Sequence, residues 1–147
     1  MIDLNFDIKC KKLDPDAILP TRGSEYSAGW DLYALGDYTI MPGTVEKINT
    51  GLSFELPVNT FGGVFARSGL ATKNGLRPAN CVGVCDQDYR GPYIVPLYND
   101  SDFIQYVHNG ERIAQLIIIP YVNSDIIEVN ELTNTDRGEA GFGSTGT

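Results

Sequence analysis

The sequence predicts an all-β domain, an antiparallel barrel or jelly roll with at most one short helix, and three observations carry that prediction. Apolar runs are short, of strand rather than helix length. Turn-forming residues separate them, with 16 glycines and 8 prolines in 147 residues. No segment sustains a 3.6-residue apolar period for long, so only Arg67-Ser68-Gly69-Leu70-Ala71 is assigned a helical turn, with Ser68 as its N-cap.

Taken in order, Ile2, Leu4, Phe6, Ile8 and Cys10 alternate with Asp3, Asn5, Asp7, Lys9 and Lys11, which predicts a half-buried strand. Residues 13–27 carry Pro15, Pro20 and Gly23 and form a loop. Ala28-Gly29-Trp30-Asp31-Leu32-Tyr33-Ala34 is an apolar strand interrupted by one carboxylate, and a buried Asp31 needs a partner; Arg112 is the candidate. Residues 38–40, 45–56 and 61–66 supply further strand material, punctuated by Pro42-Gly43 and Pro57. Cys85-Asp86-Gln87-Asp88-Tyr89-Arg90-Gly91-Pro92 is a tight turn whose flanks, residues 82–85 and 93–97, are predicted to pair as a β-hairpin. Strands at 103–107, 113–119 and 126–129 follow, broken by Asn109-Gly110 and Pro120. Many short strands with this punctuation give the barrel or jelly roll.

A formal charge of −8 repels a nucleic-acid backbone, and no basic stripe offsets it, so no nucleic-acid partner is expected. An anionic ligand must be small, met by a few placed arginines or by a metal that brings its own charge. No run approaches the roughly 18 apolar residues of a membrane span, and Met1-Ile2-Asp3-Leu4 lacks a signal-peptide pattern, so a cytoplasmic protein without membrane contact is expected. Cys10, Cys81 and Cys85 make an odd set, read as unpaired small core residues. His108 is the only histidine, which disfavours zinc sites and histidine-based triads.

The C-terminal stretch Arg137-Gly138-Glu139-Ala140-Gly141-Phe142-Gly143-Ser144-Thr145-Gly146 combines glycines, hydroxyls, a guanidinium and a ring. Such a tail loses much backbone entropy on ordering, so it needs a partner to hold it. Bare N–H groups and hydroxyls suit phosphate oxygens, a guanidinium suits a terminal phosphate, and a ring stacks on a flat group. It lacks the lysine of a Walker A loop.

Five segments, taken as an ordered set, resemble the trimeric dUTP pyrophosphatase (dUTPase) family. They are Ala28-Gly29-Trp30-Asp31-Leu32, Arg67-Ser68-Gly69-Leu70-Ala71, Gly83-Val84-Cys85-Asp86-Gln87-Asp88-Tyr89-Arg90-Gly91, Gly110-Glu111-Arg112-Ile113-Ala114-Gln115-Leu116, and the tail from Arg137 to Gly146. The resemblance spans essentially the whole chain. It implies a jelly-roll-like β-barrel, a homotrimer with three sites at subunit interfaces, and hydrolysis of dUTP to dUMP and pyrophosphate. That activity keeps uracil out of DNA and supplies dUMP for thymidylate synthesis. The expected organisation is a β-barrel domain over residues 1–132, including a C-terminal strand exchanged between subunits, and a flexible tail over 133–147 that closes the site.

Carried over residue by residue, the resemblance makes Asp86 the carboxylate that orients and deprotonates the attacking water; a carboxylate is ionised at neutral pH and can take that proton. Read without the resemblance, Asp86 suits a turn aspartate. Tyr89 matches the sugar gate, a ring under deoxyribose that leaves no room for a 2′-hydroxyl. Uracil is to be read by backbone groups of Gly83, Val84, Cys85 and Ile94 and by the side chain of Asn80. Cys85 stands where the family more often has an aliphatic residue. Arg67, Ser68, Gly69 and Gln115 are assigned to the phosphates, Arg137 to the γ-phosphate, Phe142 to stacking on uracil, and Gly143, Ser144 and Thr145 to phosphate oxygens. Mg2+ is implied, held mainly by the triphosphate and water, with Asp31 acting through water.

Three departures from the family pattern are visible. Glu139-Ala140 replaces a smaller, more glycine-rich pair, Trp30 is bulkier than usual after Gly29, and Pro92 tightens the end of the turn. The sister enzyme dCTP deaminase carries a catalytic glutamate where this chain has Pro96, which has no acid–base capacity. A dUTP-sensing regulator is the alternative from another class.

Overall fold

A computed structural model describes residues 6–143. Among them the chain forms eleven strands and one helix: β1 (Lys9–Lys12), β2 (Trp30–Tyr33), β3 (Tyr38–Ile40), β4 (Val45–Asn49), β5 (Leu52–Glu55), β6 (Thr60–Phe65), α1 (Ser68–Asn74), β7 (Leu76–Pro78), β8 (Gly83–Cys85), β9 (Ile94–Asn99), β10 (Gln105–Val107) and β11 (Arg112–Pro120). All pairings are antiparallel, in four sheets ordered β1-β5, β10-β3, β2-β11-β6-β8 and β4-β9-β7. The all-β class with one short helix is as the sequence predicts. The sheets wrap one core rather than closing into a single continuous ladder among the described residues.

Alternation explains which side chains reach that core. Along β9, Val95, Leu97 and Asn99 are buried while the residues between them are exposed or half-buried. Ile48 joins them from the neighbouring β4, and Leu32, Ile40, Leu52, Val107 and Ile113 close the core from the other sheets. Each such side chain removed from water contributes about 1.5–3 kcal/mol. Asn99 is the polar exception, and its capacity is used: Nδ2 donates to the carbonyls of Ile40 (2.9 Å) and Phe103 (2.7 Å), and Oδ1 accepts from the Ser101 backbone (3.0 Å) and hydroxyl (2.7 Å). A buried amide satisfied this way ties β9 to the end of β3.

Several sequence expectations need correction. The flanks of the Asp86 turn do not pair with each other: β8 pairs with β6, and β9 pairs with β4 and β7. The turn is a bridge between two sheets. Ser68 is the first helical residue of α1, whereas Arg67 occupies the N-cap without a side-chain cap bond. The first strand runs Lys9–Lys12, later than the alternation predicted; residues 2–5 of that pattern lie outside the described residues. Residues 126–129 form no strand, because a strand needs a neighbour and this chain offers them none; residues 121–143 are all exposed. Cys81 is exposed, in a left-handed conformation (φ 63°), so it is not a core thiol; Cys10 and Cys85 do pack against the core.

Candidate active site

The turn between β8 and β9 is held from beneath by specific bonds. The Ser53 hydroxyl donates to the Arg90 carbonyl (2.6 Å), and the Asn59 N–H donates to Gln87 Oε1 (2.7 Å). Arg90 Nη1 donates back to the Gln87 carbonyl (2.7 Å), while the Tyr89 N–H donates to the Asp86 carbonyl (3.1 Å). At the exit, the Tyr93 N–H donates to the Leu52 carbonyl (2.8 Å) and its own carbonyl accepts from the Thr50 hydroxyl (2.6 Å). The turn is therefore rigid before any ligand arrives, as a site built by preorganisation requires.

Above this base lies a pocket of about 270 Å³. Asn80, Gly83, Val84, Cys85, Asp86, Tyr89 and Ile94 all line it, so the structure gathers seven sequence-predicted residues in one place. Asp86 is solvent-exposed there, open to a water and a substrate. Burial pushes the Cys85 thiol above its ordinary value; Tyr93 opposes this and nearby Asp86 adds to it, and the net rise leaves the thiol protonated and a poor nucleophile at neutral pH.

Val64, Pro78, Pro92, Tyr93 and Pro96 complete the lining, and the sequence did not single out the first four as site residues. Tyr93 had a signal: it continues inward the alternation of Val95 and Leu97.

A second cluster forms where β11 runs between β2 and β6, with Gln115 opposite Asp31 on one side and Phe65 on the other. Arg67 Nε donates to Asp31 Oδ1 at 3.0 Å, and Arg112 Nη1 lies 3.7 Å from Oδ2. The sequence expected Arg112 as the partner of Asp31; Arg67 is the closer one, and the two share the carboxylate. Gln115 Nε2 donates to the Ala66 carbonyl (2.8 Å), and its side chain lies over Gly29, where a Cβ would collide with Oε1. Ser68 and Gly69 are exposed at the start of α1.

None of Asp31, Arg67, Ser68, Gly69 or Gln115 lines the pocket of Asp86, so within one chain the two clusters are separate. In the tail, Arg137 Nε donates to the Ala140 carbonyl (2.9 Å), and Phe142 and Gly143 are exposed. Ser144 and Thr145 lie outside the described residues. Among the described residues no three carboxylate, histidine or cysteine side chains converge to hold a metal. The donors present suit an ion that brings its own oxygen ligands, since Asp31 is one carboxylate already shared by two guanidiniums.

Fold and pocket together describe an all-β enzyme with an exposed carboxylate beside a small-ligand site. The family model described as dUTPase matches residues 15–146, and the chain belongs to that family. A deoxyuridine 5′-triphosphate nucleotidohydrolase of Nautilia profundicola is 44% identical over 139 residues, covering 95% of this chain and 98% of the relative. One of Arabidopsis thaliana is 46% identical, with 94% and 82% coverage. Among solved structures, a mutant dUTPase of Staphylococcus bacteriophage 80alpha with dUpNHpp superposes with a TM-score of 0.88 at 25% identity, covering 97% of this chain and all of that one. A mutant dUTPase of phage phi11 of S. aureus, described with a structural Mg(II) ion, has a TM-score of 0.78 at 22% identity, with 86% and 98% coverage.

Proposed function

We infer that this protein hydrolyses dUTP to dUMP and pyrophosphate, and that Asp86 is its general base. The observation that carries the assignment is the pinned turn, which sets an exposed Asp86 and the Tyr89 ring in one small pocket with the β8 backbone. Asp86 takes a proton from a water aimed at the α-phosphorus, a role worth roughly 10²–10⁴-fold in rate. Backbone groups of Gly83, Val84, Cys85 and Ile94 and the Asn80 amide read uracil, and Tyr89 excludes ribose.

Arg67 is committed to Asp31 through Nε, which leaves its terminal nitrogens for phosphate oxygens, joined by Ser68, Gly69 and Gln115. Bound Mg2+ would neutralise phosphate charge, and Asp31 would help to hold it through water. Arg137 takes the γ-phosphate, Phe142 stacks on uracil, and Gly143, Ser144 and Thr145 wrap phosphate oxygens.

The functional unit in this reading is a homotrimer in which one copy's phosphate-side cluster and another copy's tail complete each Asp86 pocket. Residues 1–132 form the domain, with the segment around 126–129 added as a strand to a neighbouring copy, and 133–147 form the lid. Ile126, Ile127 and Leu132 are almost wholly exposed, which a lone chain would not tolerate without cost. A hollow of about 570 Å³ beside β1, lined by apolar residues such as Ile8, Leu19, Trp30 and Ile118 together with Asp7 and Arg22, offers them a place in the next copy. Among the described residues no helix is long and apolar enough to cross a membrane. The nucleotide chemistry of this reading fits a cytoplasmic protein.

Pyrophosphate release from dUTP, dCTP, dTTP and UTP, with and without magnesium, tests the assignment. Selective, magnesium-dependent release from dUTP is expected. Ammonia release from dCTP would favour a deaminase, and inertness to all four a binding role.

A further inference from the structure

We propose that Tyr93 is a positioning residue for sugar selection: its ring is the wall that holds the Tyr89 ring at the depth that admits deoxyribose and refuses ribose. The proposal rests on the dUTP reading above. Tyr93 is only 2% exposed, and its ring lies 4.4 Å from that of Phe54 and 6.1 Å from that of Tyr89, at interplanar angles of 47° and 29°. The three rings form a ladder from the core to the pocket.

Tyr89 is restrained on its other sides as well. Its hydroxyl donates to the Pro92 carbonyl (3.0 Å), and it crosses Gly91, where a Cβ would meet the hydroxyl and lie 2.6 Å from Cζ. With its tip and one edge held, the Tyr89 ring is bounded on its inward side by Tyr93, and its remaining surface, 44% exposed, faces solvent.

The hydroxyl of Tyr93 explains two neighbours. A Cβ on Gly62 would lie 3.1 Å from it and 3.5 Å from the Cβ of Cys85, so glycine at 62 and a small side chain at 85 make the room that the phenol occupies. An aliphatic residue at 85 would compete for the same volume, which accounts for the cysteine there. Among the described residues the Tyr93 hydroxyl has no hydrogen-bond partner, because the Cys85 thiol is near enough to perturb it without meeting bonding geometry. Burial is the main cause that pushes its ionisation upward, so it stays neutral. An unpartnered buried hydroxyl costs stability, so the core alone gives no reason for tyrosine over phenylalanine or leucine.

The test compares kcat/KM for dUTP and UTP in the full-length protein, Tyr93→Phe, Tyr93→Leu and Tyr93→Met, the last filling more of the core if Tyr93→Leu does not fold. Removing the wall should lower discrimination against UTP about tenfold, mainly through a lower KM for UTP, with kcat for dUTP within about twofold. Tyr93→Phe should keep the discrimination and melt higher, since the ring stays and the orphaned hydroxyl goes. An unchanged dUTP/UTP ratio in a folded leucine variant, or an equal loss in Tyr93→Phe, overturns the proposal. Wild-type protein inert to dUTP would instead remove the reading beneath it.

Discussion

The turn at residues 86–92 and the segment at residues 121–143 are both irregular backbone, yet they could hardly differ more. The first is tied to β5, to Asn59 and to itself by side-chain and backbone bonds, over a core containing Phe54 and Tyr93. The second is exposed throughout; past the bond from the Tyr121 N–H to the Asn59 carbonyl (2.9 Å), the bonds among its described residues are local, such as Arg137 to Ala140. Rigid loops suit chemistry, where a small misplacement is costly; loosely held segments suit closure over a ligand, because they can order when it arrives. The contrast fits the proposed division, with catalysis in the turn and substrate enclosure in the C-terminal segment.

The largest expected effect lies in the turn. Asp86→Asn should lower pyrophosphate release by about 10²–10⁴-fold while a non-hydrolysable dUTP analogue still binds, as calorimetry would show. Near-normal turnover would remove Asp86 as the base. Truncation before Arg137 should also collapse turnover, yet leave thermal stability unchanged because the described part of the tail packs against nothing. A fall in melting temperature would show that the contrast is overdrawn.

Two smaller effects probe how firmly the turn and the barrel are held. Arg90→Ala removes the bonds to the Gln87 and Phe54 carbonyls and should cost about 1 kcal/mol in denaturant unfolding, with a larger loss of activity than of stability. The smallest effect is on the alkaline side. Burial raises the Cys10 thiol from 9.0 to about 11, so the folded state holds that proton more tightly than the unfolded chain does. The resulting stability is whole below pH 9 and is lost as pH rises toward 11. Cys10→Ala should flatten that part of the stability profile.

Strands were legible where an apolar run sits between turn residues: β9 and β11 lie almost where their apolar residues predict, whereas the alternation at residues 2–11 marks a strand only over Lys9–Lys12 among the described residues. Strand partners were not. Nothing in residues 82–85 and 93–97 reveals that they belong to different sheets, since periodicity says which way a side chain points and not which edge it meets. The pocket was readable because its residues are close in sequence, from Asn80 to Ile94. The Arg67–Asp31 pair was missed because only the pairing of β11 with both β2 and β6 brings the start of α1 beside β2, and strand partners are not written in periodicity. Tyr93 was hidden for another reason: its importance comes from what it supports, and only coordinates show that.

The central claim is that the Asp86 pocket of one copy is completed by the tail of another. Mixing Asp86→Asn chains with chains truncated before Arg137, after unfolding and refolding together, tests it directly. Each variant alone should be nearly inert, and the mixture should regain a substantial share of wild-type pyrophosphate release, because intact turns from one variant meet intact tails from the other. A mixture as inert as its parents would contradict the account.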